Sequence, residues 1–147
     1  MSLGQELIAS RVEAFRQMLA DRGQRATSQR LEIYRYLLET QLHPTAEEIY
    51  RALRERFPAM SLATVYKTLE LLGDLGLVVA VGPPDGPSRY DGNPEPHINV
   101  TCLGCGAIID LEDEQVAGWK EAVAKRSGYT IVASRHDFLG FCPACRK

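Results

Sequence analysis

The four cysteines constrain this chain more than any other feature of its 147 residues. They form two pairs, Cys102-Leu-Gly-Cys105 and Cys142-Pro-Ala-Cys145, with 36 residues between them. Each C-x-x-C pair puts two thiolates at the ends of a tight turn, and two such turns brought together surround one point with four sulfurs. Zinc takes that arrangement as a closed tetrahedral site. Gly104 and Gly106 relax the first turn and Pro143 sets the second. Two disulfides would suit a secreted chain, and nothing here marks secretion. A redox pair needs a βαβ setting, and two copies would be odd. The expectation is a structural Zn(2+) held by Cys102, Cys105, Cys142 and Cys145, with no open position.

Upstream of the cysteines the apolar residues recur at helical spacing. Residues 5–20 carry Leu7, Ile8, Val12, Phe15, Met18 and Leu19, and Gly23 ends that helix. Thr27 can cap a second helix, with Leu31, Tyr34, Leu37 and Leu38 on its apolar face, which His43-Pro44 breaks. Thr45-Ala-Glu-Glu48 is a capping box opening a third helix that buries Ala46, Ile49, Tyr50 and Leu53. Ser61 caps a fourth, with Leu62, Val65, Leu69 and Leu72 in one stripe and Thr64, Tyr66, Lys67 and Glu70 opposite. Gly73 and Gly76 end it. Residues 77–81 and 88–91 then read as a hairpin. Short helices followed by a hairpin make a winged helix-turn-helix, its last helix suited to a major groove and its hairpin to the wing.

Five prolines and three glycines between Gly82 and Pro96 mark a wing tip and then a stiff hinge. Beyond it, residues 97–101 and 107–111 read as strands flanking the first cysteine turn. Residues 114–127 read as a helix with Val116, Trp119 and Val123 inward, and residues 129–134 and 137–141 as further strand. The expected class is α+β: a winged-helix domain over residues 1–92, with its wing at about 77–91, then a small zinc-stapled domain over 93–147.

Bulk charge does not advertise a nucleic-acid partner. The net charge is −2; residues 1–92 hold 11 Lys+Arg against 12 Asp+Glu, and residues 93–147 hold 6 against 7. Any DNA surface must therefore be a local patch. Thr64 and Tyr66 on the fourth helix are candidates for base edges, and Arg25, Arg30, Lys67 and Arg89 for phosphates. No signal-peptide core and no membrane-length apolar run is present, which points to the cytoplasm.

Arg25-x-Thr27-x-Gln29-Arg30, His43-Pro-Thr-Ala-Glu-Glu-Ile-Tyr50, Ser61-Leu-Ala-Thr-Val-Tyr66-x-Thr-Leu69 and the two C-x-x-C pairs together resemble the ferric uptake regulator (Fur) family. The resemblance spans roughly residues 10–145. It implies a metal-dependent transcriptional repressor that binds a palindromic operator in double-stranded DNA as a homodimer, with residues 93–147 as the dimerisation domain. It also implies a regulatory metal at the hinge. In its ligands the chain is most similar to the peroxide-sensing, PerR-like branch, which places that metal on His43, Asp91, His97, Asn99 and Asp110. Asn99 stands where a histidine is expected, and Ser134 where many members carry the histidine of an additional site. A mixed N/O set of this kind suits Fe(2+), Mn(2+) or a second Zn(2+). With iron there, peroxide would oxidise His43 or His97 and release the DNA.

Taken singly, these residues have plainer readings. His43 before Pro44 could simply end a helix, Asp91 could turn the chain, Asp110 could pair with a cation, and His136 has no assigned role. Two alternatives of other classes follow. One is a zinc-stabilised winged-helix module that meets a protein and carries no sensor. The other, a metallohydrolase using His43, His97 and Asp110, lacks any HExxH, nucleophile motif or phosphate loop, so the chain is not read as an enzyme.

Overall fold

The computed structural model describes residues 3–40, 42–132 and 134–146. Its elements run α1 (Gln5–Asp21), α2 (Ser28–Glu39), α3 (Ala46–Leu53), α4 (Leu62–Asp74), β1 (Val79–Val81), β2 (Arg89–Asp91), β3 (Ile98–Cys102), β4 (Ile108–Leu111), α5 (Glu114–Ser127) and β5 (Asp137–Gly140). The architecture is α+β, with four helices and a two-stranded wing followed by a three-stranded sheet and one helix.

Helices α2, α3 and α4 begin where side-chain oxygens can satisfy their first free amides. Thr27 accepts from the Arg30 amide at 3.2 Å, Thr45 from the Glu48 amide at 3.2 Å and Ser61 from the Thr64 amide at 3.1 Å. The expected box at Thr45 forms only in this half among the described residues, because the Glu48 carboxylate lies 3.5 Å from the Arg89 guanidinium instead. Gly73 stays inside α4, and Gly76 ends the helix at φ +74°, a conformation that favours glycine. A side chain at Gly76 would also strike Val132, 2.5 Å from its carbonyl oxygen, so the end of α4 is packed against the chain that follows α5.

One core joins α1 to α4 and the start of the wing. Ile8, Val12, Phe15 and Leu19 of α1 meet Ile33, Tyr34 and Leu37 of α2, Ile49 of α3 and Val65, Leu69 and Leu72 of α4. The Phe15 and Tyr34 rings meet edge to face at 5.3 Å. Burial pushes the Tyr34 hydroxyl up to about 12, with Arg11 pulling the other way. Ile33 and Thr68 are buried although the helical stripes omitted them, and Tyr50 and Leu62 are only half buried.

The wing pairs β1 with β2 antiparallel, Val79 opposite Asp91. In the second sheet β3 is central, antiparallel to β4 and parallel to β5. Two expectations need correction here. Residues 129–132 and 134 form no strand, and Ala133 lies outside the described residues. Of α5 it is Val116 that is buried, while Trp119 and Val123 are 45% and 52% exposed. Among the described residues the face carrying them is only partly covered, His136 packing on Trp119.

Phe15 is fully buried against α2. Phe15→Ala is therefore expected to cost about 3–5 kcal/mol, read as a lower urea midpoint with an unchanged slope. A loss below about 1 kcal/mol would show that α1 is not part of the cooperative core.

Candidate metal centres

The cysteine turns meet because β3 and β5 run side by side. Their register sets Cys102 opposite Gly140, and the Leu103 amide donates to the Gly140 carbonyl at 2.7 Å. Each turn closes on its first cysteine: the Gly106 amide donates to the Cys102 carbonyl, and the Cys145 amide to the Cys142 carbonyl, both at 2.9 Å. All four sulfurs then lie within 4.8 Å of one another. Gly104 leaves the room this needs, since a Cβ there would stand 2.9 Å from the Cys145 sulfur.

The amides of Cys142 and Gly104 point at the Cys102 sulfur, each at 3.3 Å. Amide hydrogen bonds, that from Cys142 foremost, bring the Cys102 thiol down to about 6. Cys145, donating to the sulfurs of Cys142 and Cys102, is pushed up to about 12. Four crowded thiols thus share their protons unequally, and a dication that displaces those protons relieves the crowding. Four sulfurs in a closed cage fit zinc, with bonds of about 2.3 Å.

The second centre is assembled from three separated segments. The Tyr90 amide donates to the Pro44 carbonyl at 2.9 Å, and Thr45 bridges Arg89, so residues 43–45 lie along β2. Arg89 secures this contact by donating to the His43 carbonyl at 2.9 Å. His43 is thereby laid beside Asp91. From the other side, the β3–β4 register sets Asp110 opposite Asn99. The ligand atoms of His43, Asp91 and Asp110 all fall within 4.8 Å of one another.

The five residues expected at the hinge form a connected polar cluster. His43 Nε2 is 2.9 Å from Asp110 Oδ1. Asp91 Oδ2 accepts from His97 Nε2 and, at 3.0 Å, from Asn99 Nδ2, while Asp91 Oδ1 accepts from the Asn93 amide at 2.9 Å. His97 Nδ1 lies 2.7 Å from the Glu95 carbonyl, which can only accept. Nδ1 therefore donates and Nε2 is the nitrogen aimed at the cluster. Burial opposes ionisation of Asp91, but the bonds from His97, Asn93 and Asn99 outweigh it and hold the carboxyl below its usual range. The bond to Asp91 lifts His97 to about 9, against the effect of burial.

Asn99 is buried, and its Oδ1 has no hydrogen-bond partner among the described residues. An unpartnered buried acceptor is costly in a purely hydrogen-bonded interior. A cation among these residues would be drawn to such an oxygen, and two imidazoles, two carboxylates and a carboxamide fit a divalent ion of intermediate hardness. The Asx turns at Asp91 and Asn93 that shape this pocket are written in the sequence as Asp91-Gly-Asn93-Pro, a turn signature.

The other singled-out residues are placed as follows. Arg25, Arg30, Thr64 and Lys67 line one shallow groove between the start of α2 and α4. Arg30 is braced on the Arg25 carbonyl at 2.8 Å. Arg89, expected at phosphates, is turned instead to His43 and Glu48. The Tyr66 hydroxyl donates to Glu47 Oε1 at 2.7 Å. His136 packs its ring at 5.4 Å from that of Trp119 and stands 3.2 Å from Ser134 Oγ. Asp113 also caps α5, accepting from the Gln115 amide at 2.8 Å.

Cys145→Ser is expected to weaken zinc binding by more than the about 10–100-fold typical of losing an outer partner of a ligand. The readout is zinc per chain after dialysis against a chelator. Full retention of zinc would exclude the four-sulfur site.

Residues 21–138 match the Ferric uptake regulator family. The chain is 34% identical over 147 residues to the Peroxide-responsive repressor PerR of Staphylococcus epidermidis, covering all of this chain and 98% of that protein. The solved structure of the Campylobacter jejuni peroxide stress regulator superposes with a TM-score of 0.67 at 34% identity, over 88% of this chain and 97% of that one. The Helicobacter pylori ferric uptake regulator, at 23% identity, shares the fold with a TM-score of 0.72 over 95% of this chain and 94% of its own. The chain belongs to the ferric uptake regulator family.

Proposed function

We propose that this protein is a dimeric, metal-dependent transcriptional repressor whose operator affinity is set at the hinge by His43, Asp91, His97, Asn99 and Asp110. The observation that carries the reading is the convergence of those residues from three separate segments into one polar cluster. The similarity to a protein named as a peroxide-responsive repressor supports the signal class. Residues 1–92 would contact DNA and residues 93–147 would pair two copies. A regulator of this kind works in the cytoplasm and turns over no substrate; no helix among the described residues is long and apolar enough to cross a membrane.

Bound Fe(2+), Mn(2+) or Zn(2+) would supply positive charge that the two carboxylates, two imidazoles and the Asn99 carbonyl can share. The residues do the mechanical work. His43 belongs to the loop capping α3, Asp91 to the wing, His97 to the segment leading into β3, and Asn99 and Asp110 to β3 and β4 of the second sheet. Drawing them to one point fixes the sheet against the winged helix. In a dimer that sets the separation of two α4 helices, so less freedom is lost when both meet their half-sites.

The apolar face supports pairing. By register Ile109, Leu111 and Phe138 share one face of the second sheet, and all three are at least 49% exposed; Trp119 and Val123 of α5, Leu139 of β5 and Phe141 just after it are also at least 45% exposed. Apolar surface gathered in this way marks an interface, and a second copy presents the matching patch.

The test is binding of zinc-loaded protein to a duplex recovered from a random-sequence pool, with and without added Mn(2+) or Fe(2+). Metal-dependent binding by a dimer is expected. Zinc-loaded protein that binds equally well without further metal would leave a winged-helix module with no sensor.

Two outcomes follow from the cluster. His97 holds its proton up to about 9 in the metal-free protein and must release it to ligate. Apparent Mn(2+) affinity should therefore rise about tenfold per pH unit from pH 7 toward 9 and then level; a flat profile would remove His97 from the ligands. Asn99→His should tighten Mn(2+) binding by about tenfold and Asn99→Ala should weaken it similarly, both read by competition with a metal indicator. Equal affinities in all three proteins would leave Asn99 outside the site.

A further inference from the structure

We propose that Glu47 is a positioning residue for sequence reading: it accepts the hydroxyl hydrogen of Tyr66 and so fixes what the recognition helix presents to a base. The proposal rests on the reading of the chain as a DNA-binding repressor. Tyr66 projects from the outer face of α4 and is 45% exposed. Its hydroxyl donates at 2.7 Å to Glu47 Oε1, on the first turn of α3. An exposed tyrosine would otherwise sample its rotamers freely, and this bond ties it to a neighbouring helix.

A carboxylate at this place is otherwise unfavourable for the function. Glu47 is exposed on the side of the helix pair that carries Tyr66, where DNA phosphates would approach, and like charge there weakens binding to every sequence. A carboxylate suits the first turn of a helix, but Glu48 already occupies that turn. The hydrogen bond to Tyr66 is the first cause of a lowered carboxyl pKa at Glu47, and the same bond chiefly raises the Tyr66 hydroxyl. At neutral pH the pair is an ionised acceptor and a neutral donor.

This arrangement has a chemical consequence. The one hydroxyl hydrogen of Tyr66 is committed to Glu47. Toward DNA the oxygen can then only accept. In the major groove its partners are the exocyclic amines of adenine and cytosine, and the ring edge can lie on a thymine methyl. Tyr66 would thus discriminate through its acceptor lone pairs, with Glu47 choosing that role for it.

The experiment compares Glu47→Ala, Glu47→Gln, Tyr66→Phe and the double variant Glu47→Ala/Tyr66→Phe as metal-loaded full-length proteins. Affinity is measured for a duplex selected by the wild type from a random pool and for a scrambled duplex of equal composition. Glu47→Gln removes the charge but keeps an acceptor, so both affinities should rise together and their ratio should hold. Glu47→Ala removes the acceptor as well, and the selected-to-scrambled ratio should fall by about five- to tenfold. With Tyr66→Phe already present, Glu47→Ala should change the ratio no further. Identical behaviour of Glu47→Ala and Glu47→Gln would reduce Glu47 to a surface charge and overturn the proposal, as would a ratio loss that persists beside Tyr66→Phe. A wild-type protein that recovers no preferred duplex would fail earlier and sink the repressor reading together with this one.

Discussion

The contact between residues 43–45 and β2 is the constraint on which the second centre depends. The Tyr90 amide to the Pro44 carbonyl, the Thr45–Arg89 bridge and the Arg89 guanidinium on the His43 carbonyl act together. They hold a helix-capping loop against the last strand of the wing, which brings His43 beside Asp91. The same loop supplies Thr45, the N-cap of α3. A proposed ligand and a helix start are thus parts of one short segment, so the loop cannot move at the hinge cluster without moving α3. Arg89 serves this joint, which is a different use from the phosphate contact its sequence position suggested.

The two metal centres differ in what they ask of the fold. The cysteine cage takes its ligands from two tight turns joined by the parallel pairing of β3 and β5, and four sulfurs crowd one point with uneven hold on their protons. It is a staple for a small sheet whose own apolar burial is meagre. The hinge cluster is looser. Its carboxylates and imidazoles already satisfy one another, and the oxygen of Asn99 is the acceptor left over. A centre whose ligands are paired without metal can exist in two states, which a sensor requires and a staple does not.

Net charge was a poor guide to the proposed DNA face, because it sums residues that the fold separates. Arg25, Arg30 and Lys67 share a groove with Thr64, whereas Arg89, Arg56 and Arg135 are spent on internal or neighbouring carboxylates and carbonyls. A chain of charge −2 can still present a local cationic strip. The exposed Trp119 and Val123 teach the complementary lesson. Their helical spacing marked an apolar face, but among the described residues of one chain that face is left about half exposed.

The sequence by itself determined the helix starts at Thr27, Thr45 and Ser61, the alternation of the wing and the pairing of cysteines within each turn. These depend on neighbours within a few positions, so local chemistry decides them. The hinge residues could be named only through the family's motifs, since a histidine before a proline says little alone. Tertiary structure alone decided that His43 faces Asp110 across 67 positions, that Arg89 turns to His43 across 46, and that the Asn99 amide donates to Asp91 while its oxygen has no partner among the described residues. Those contacts join segments whose meeting is set by sheet register and by packing of the whole core, and no local periodicity encodes either.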